Sequence, residues 1–140
     1  MTRFHCEHAL IGGTSQRDVE IMVDGGRITA ITAGAAPAPG AHRLYGFTIP
    51  GMANAHSHAF HRALRSRTQA NRGSFWSWRE VMYRAAERLT PDNYHRLARA
   101  TFAEMAMAGI TAVGEFHYVH HQLDGRAYDD PNAMSKALLG

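Results

Sequence analysis

Cysteine is almost missing from this 140-residue sequence, where Cys6 stands alone. An internal disulfide is therefore impossible, and a small cross-linked scaffold is excluded. Lysine is as scarce, since Lys136 is the sole example among 15 basic residues. Arginine carries nearly all the basic charge, and the net charge is only +3 at neutral pH. No apolar run approaches the roughly 20 residues needed to span a bilayer. The opening residues include Arg3, His5, Glu7 and His8, so they lack the apolar core of a secretory leader. These absences point to a cytoplasmic protein with no membrane partner.

What is present is the composition of a globular protein, with 45% apolar and 19% charged residues. Arg62, Arg65, Arg67 and Arg72 form the densest basic cluster. A basic binding module for nucleic acid is one reading of it. Few aromatics interleave these arginines and no nucleic-acid fold signature accompanies them. They are read instead as a solvated connection, with no nucleic-acid partner.

Residues 1–47 read as a small β-rich segment. Phe4 to Ile11 runs into Gly12-Gly13, and Val19 to Val23 alternates before Asp24-Gly25-Gly26. Arg27 to Ile31 alternates again, so Asp-Gly marks a hairpin. Residues 33–40 are small and Pro-rich, as in a loop, and Leu44 to Phe47 leads into the next unit. Residues 48–140 read as strand, helices, strand. Ser77-x-x-Glu80 matches a capping box, with Trp76 and Val81 placed for a hydrophobic staple. Val81, Met82, Ala85 and Leu89 would be the buried stripe of that first helix. Thr90-Pro91-Asp92 opens a second one, with Tyr94, Leu97, Ala98, Thr101, Met105 and Ala108 at helical spacing. Gly109 suits its left-handed end. Ile110 to Phe116 is a strand, and a last helical pattern follows Pro131.

The stretch from Thr48 to His58 organises the second unit. It reads as a strand ending in two histidines, entered through the Pro50-Gly51 bend. Residues two apart on a strand share a face. His56 and His58 can therefore reach one metal ion, since Zn–N bonds are about 2.0–2.1 Å. Asn54 would share their face and Ser57 would point away. The second strand ends in Glu115, His117 and Tyr118. Parallel strands joined by helices bring these ends to one side, where barrel active sites form.

Pro50, Gly51, Asn54, His56 and His58 together resemble the first-strand signature of the amidohydrolase superfamily. Three further blocks narrow the resemblance to the formimidoylglutamate deiminases: His58 to Ala63, Ser74 to Tyr83 and Glu115 to His121. The resemblance implies a zinc-dependent (β/α)8 barrel that hydrolyses N-formimino-L-glutamate to N-formyl-L-glutamate and ammonia in histidine degradation. It implies His56 and His58 as metal ligands. It implies Arg79 and Tyr118 as contacts for the glutamate part of this small dicarboxylate substrate. His61 stands where that family usually has glutamine, three residues after the second histidine. It is a further candidate contact, altered in chemistry. His95, His117, His120 and His121 are not read as further ligands.

A (β/α)8 barrel takes roughly 250 residues, whereas 93 remain from Thr48 onward (140 − 47). The fold expected is thus α/β: an N-terminal β-rich segment, then the first two strands and helices of an incomplete barrel. The remaining ligands and the proton-transfer residues are expected beyond Gly140, and a homodimer is one expectation for the full-length form. Two other readings stay open, a related deaminase for another amidine or aminated ring, and a non-enzymatic basic module.

Overall fold

In the computed structural model the chain forms two compact units, Met1–Pro50 and Gly51–Gly140. Residues 1–68 and 73–140 are described, so Arg72 of the basic cluster lies outside the described residues.

The first unit is a four-stranded sheet of β1 (Thr2–Ile11), β2 (Thr14–Asp24), β3 (Arg27–Thr32) and β4 (His42–Thr48), in the order β3-β2-β1-β4. β1 to β3 form antiparallel hairpins turning at Gly12-Gly13 and Gly25-Gly26, all four with positive φ. β4 pairs parallel with β1 at the sheet edge. Cys6, Ala9 and Val19 are its buried centre. Thr48, read from sequence as the entry to the histidine strand, instead closes β4. Residues 49–51 separate the two strands in sequence.

The second unit is a βαβ arrangement. β5 (Met52–Ser57) and β6 (Ile110–Glu115) lie parallel as a two-stranded sheet. Between them come a 3-10 helix (Ala59–Leu64), α1 (Phe75–Ala86) and α2 (Pro91–Met107), and α3 (Ala133–Leu139) follows. The 3-10 helix falls in what the sequence offered only as a connection. It forms because Ala59, Phe60 and Leu64 are buried in the core. That core also takes Met82, Leu89, Tyr94, Ala98 and Met134.

α1 begins three residues before the place its sequence pattern favoured. Ser74 is the N-cap, accepting from the Ser77 amide at 3.3 Å, while Ser77 Oγ accepts from the Ser74 amide at 2.9 Å. A serine at N3 thus closes the box that Glu80 was expected to close. Trp76, 65% exposed, packs beside Arg79. α2 follows its pattern more closely: Thr90 caps it, Pro91 stands at the first turn and Gly109 ends it at φ +82°. Asn93 Oδ1 accepts from the Thr90 amide at 2.8 Å. Tyr94, Ala98 and Thr101 are buried as the spacing predicts, whereas Ala108 is exposed.

Two glycines set the pairing of β5 with β6. A Cβ at Gly51 would overlap the Thr111 side chain, and one at Gly114 would lie 2.7 Å from the Ala55 carbonyl oxygen. Among the described residues no helix is long and apolar enough to cross a membrane.

Candidate active site

β5 ends at Ser57, so His56 lies on the strand and His58 is the N-cap of the 3-10 helix. Ser57 is buried on the opposite side. The two imidazoles meet edge to face with centroids 4.6 Å apart, and their Nε2 atoms are 3.0 Å apart. The other ring nitrogen of His58, Nδ1, donates to the Phe116 carbonyl at 2.5 Å. That bond places the His58 proton on Nδ1 and leaves the Nε2 lone pair facing His56, as in a metal-ligating histidine. Two nitrogens on one tetrahedral zinc lie about 3.3 Å apart, given bonds of about 2.05 Å. The donor pair fits a zinc-type ion as half of a four-ligand set. Among the described residues no group of three or more His, Cys, Asp or Glu side chains converges in this way.

Asn54 stands beside the pair and holds backbone rather than metal. Its Oδ1 accepts from the His56 amide at 3.4 Å and its Nδ2 reaches Met105 Sδ at 3.8 Å.

His61 follows one turn of 3-10 helix later. Its ring centroid is 4.6 Å from that of His58, and Trp78 stands perpendicular to it at 5.4 Å. Its Nε2 is hydrogen-bonded to the Tyr118 hydroxyl at 2.7 Å. Burial lowers the His61 pKa, the neighbouring His58 lowers it further and Glu115 opposes both. The ring is therefore neutral at neutral pH, which removes the cationic grip that a histidine here could have offered a carboxylate.

Tyr118 sits at φ +32°, a left-handed conformation uncommon outside glycine. It turns the chain after β6 so that its ring packs on Phe60 and His58. Burial raises its pKa, with Tyr83 adding to the effect, so the hydroxyl stays protonated.

Arg79 projects from α1. Its Nε and Nη2 both donate to the Tyr83 hydroxyl, at 2.9 and 2.6 Å. Its guanidinium carbon lies 5.6 Å from the Trp76 ring centroid and 5.0 Å from that of Tyr83. Tyr83 occupies one edge of the fork, and Nη1 with the second hydrogen of Nη2 remains for a carboxylate. The structure therefore joins His56, His58, His61 and Tyr118 in one contact chain. Arg79 belongs to a neighbouring cluster with Tyr83.

The other histidines are used elsewhere. His95 Nδ1 bonds the Ala137 carbonyl oxygen at 3.1 Å, His117 Nε2 lies 3.0 Å from Ser135 Oγ, the His120 ring meets that of His117 at 4.9 Å, and the backbone of His121 bridges to Ala127. Tyr83 escaped the sequence reading, although its i+4 spacing from Arg79 was a usable signal.

The amidohydrolase family profile (Amidohydro_1) matches residues 47–140, about two thirds of the chain. The chain belongs to the amidohydrolase family. It is 44% identical to a formimidoylglutamate deiminase of Pseudomonas aeruginosa over 138 residues, which is 96% of this chain and 30% of that protein. An amidohydrolase from Brucella melitensis superposes with a TM-score of 0.92 at 36% identity, over 99% of this chain and 31% of that one. The atrazine chlorohydrolase TrzN of Arthrobacter aurescens, solved with zinc, superposes at 0.75 and 25% identity, over 99% and 33%. The chain thus spans about a third of the length of these relatives. Its two units form the N-terminal β-rich segment and the opening part of the (β/α)8 barrel.

Proposed function

We propose that the full-length protein is a zinc-dependent iminohydrolase. It would convert N-formimino-L-glutamate and water to N-formyl-L-glutamate and ammonia, in the cytoplasm, as a step of histidine degradation. The observation that carries the reading is the convergence of His56 and His58 Nε2 at 3.0 Å, with the His58 proton fixed on the far nitrogen. The 44% identity to a formimidoylglutamate deiminase supports the substrate.

In this reading His56 and His58 hold the metal with two ligands from later strands. When bound, the metal supplies a hydroxide equivalent near neutral pH by lowering the pKa of water to about 7. The residues of this chain bind and orient. Arg79 presents the open edge of its guanidinium to a substrate carboxylate, and Tyr83 holds it at the opposite edge. Tyr118 fixes His61 against His58, and the Phe60 and Trp78 rings pack edge to face on His61. A deaminase for an aminated ring would gain nothing from an arginine presented to a carboxylate.

The test is ammonia release from N-formimino-L-glutamate by the full-length protein, with zinc measured in parallel. Wild type should turn over with zinc bound. His56→Ala and His58→Ala should lose both zinc and at least 99% of the activity. Stoichiometric zinc in both variants would overturn the ligand assignment, and an inactive zinc-loaded wild type would overturn the substrate.

A further inference from the structure

The 3-10 helix that begins at Ala59 has no cap from its own N-cap residue, because the His58 side chain makes no capping bond. Its first amide is satisfied from the other strand. Glu115, the last residue of β6, accepts from the Ala59 N–H through Oε1 at 2.7 Å. Two more bonds join the same ends. The Phe116 amide donates to the Ser57 carbonyl at 2.9 Å, and His58 Nδ1 donates to the Phe116 carbonyl. The end of β6 thus grips Ser57, His58 and Ala59 in succession. On the β6 side of that grip, Glu115 contributes the one side chain.

Its other oxygen sharpens the point. Oε2 is buried and has no hydrogen-bond partner among the described residues. A buried, half-satisfied carboxylate costs stability that an apolar side chain of similar size would not. A purely structural role would be filled more cheaply by such a residue. A carboxylate makes sense where the Ala59 amide must be held, because that bond fixes the direction in which the chain leaves His58.

We propose that Glu115 is a positioning residue for the metal-ligand pair: by capping Ala59 it holds His58 so that Nε2 faces His56. The inference rests on the reading of His56 and His58 as metal ligands. Glu115 touches neither histidine ring, so it acts through the backbone. Groups that orient a metal ligand change affinity by about 10–100-fold when lost.

Two replacements of similar volume separate the bond from the bulk, in the full-length protein. Glu115→Met fills the space without an acceptor, and Glu115→Gln keeps one. Zinc affinity is read by chelator competition, and ligand geometry by the visible spectrum of the cobalt(II)-substituted protein. Glu115→Met should weaken zinc about tenfold or more and shift the cobalt bands, while Glu115→Gln stays within about threefold of wild type. Wild-type affinity and spectrum in a folded Glu115→Met protein would overturn the proposal. So would a loss in Glu115→Gln as large as that in Glu115→Met. Hydrogen exchange at the Ala59 amide of wild type gives a readout that needs no variant to fold. Slow exchange is expected, and fast exchange would overturn the capping bond. If wild type itself loses no zinc on His56→Ala and His58→Ala, the fault lies in the ligand assignment instead.

Discussion

His61 and Tyr118, 57 positions apart in sequence, share a hydrogen bond of 2.7 Å directly beside the His56–His58 pair. Each is already engaged by the other. Tyr118→Phe should therefore leave a half-buried imidazole without its partner, at a cost of about 1 kcal/mol in stability. The variant should also lower kcat/KM for N-formimino-L-glutamate about tenfold, as His61 loosens against His58. His61→Gln keeps a group able to bond the hydroxyl and should stay within about threefold of wild type. Thermal melts and steady-state kinetics on the full-length protein check both.

The Arg79–Tyr83 pair predicts a different kinetic signature. Tyr83→Phe removes the hydroxyl that both Nε and Nη2 of Arg79 address. The guanidinium then loses its fixed edge, and KM should rise about fivefold with kcat nearly unchanged. Arg79→Lys should have the larger effect, because an ammonium cannot replace a planar fork. Zinc content should stay at the wild-type level in both. An unchanged KM in Arg79→Lys would return this arginine to an ordinary helix-surface role.

His117 gives a pH prediction. Its pKa is lowered, first by burial and then by the neighbouring His120, with Glu115 opposing. The folded state thus favours the neutral ring that meets Ser135 on α3. Below an unfolded-state pKa of about 6.5 the unfolded chain binds more protons than the folded one. The contribution of His117 is therefore complete above that value and declines as pH falls toward the lower folded pKa. Melting temperature should fall more between pH 7 and pH 5.5 in wild type than in His117→Gln. Parallel curves would show that His117 does not contribute to the pH dependence.

A fourth prediction concerns the 140-residue chain produced by itself. Its second unit rests on a two-stranded sheet, with Met52 47%, Val113 37% and Phe116 60% exposed. Two strands are marginal in water, and unpaired edges invite other chains. The isolated chain should self-associate in size-exclusion chromatography and show no iminohydrolase turnover. A monodisperse monomer that turns over substrate would refute this.

Much of the site was legible because its signals are local. The alternation read from sequence brings the His56 and His58 rings together, although β5 ends at Ser57 and His58 already opens the 3-10 helix. The start of α2 is legible in Thr90, Pro91 and Asp92, while the reciprocal bond from Asn93 is not. What escaped depends on chain segments far apart. No local rule tells that Glu115 reaches Ala59, that β4 pairs with β1, or that the Tyr118 hydroxyl bonds His61. The misplaced start of α1 has another cause. Ser74 and Ser77 are both good caps, and because each bonds the other's backbone amide the helix opens at Phe75.

Gly51 and Thr111 lie at the far end of the strands that carry the histidines and their grip. Because a Cβ at Gly51 would overlap the Thr111 side chain, this pair sets how β5 slides along β6. Six residues of strand, about 20 Å, separate that contact from Ser57. The strands act as a lever with its pivot at the bottom, so an error at the pivot reappears at the histidine end. A side chain at position 51 would therefore shift His56 and His58 although neither histidine had been replaced.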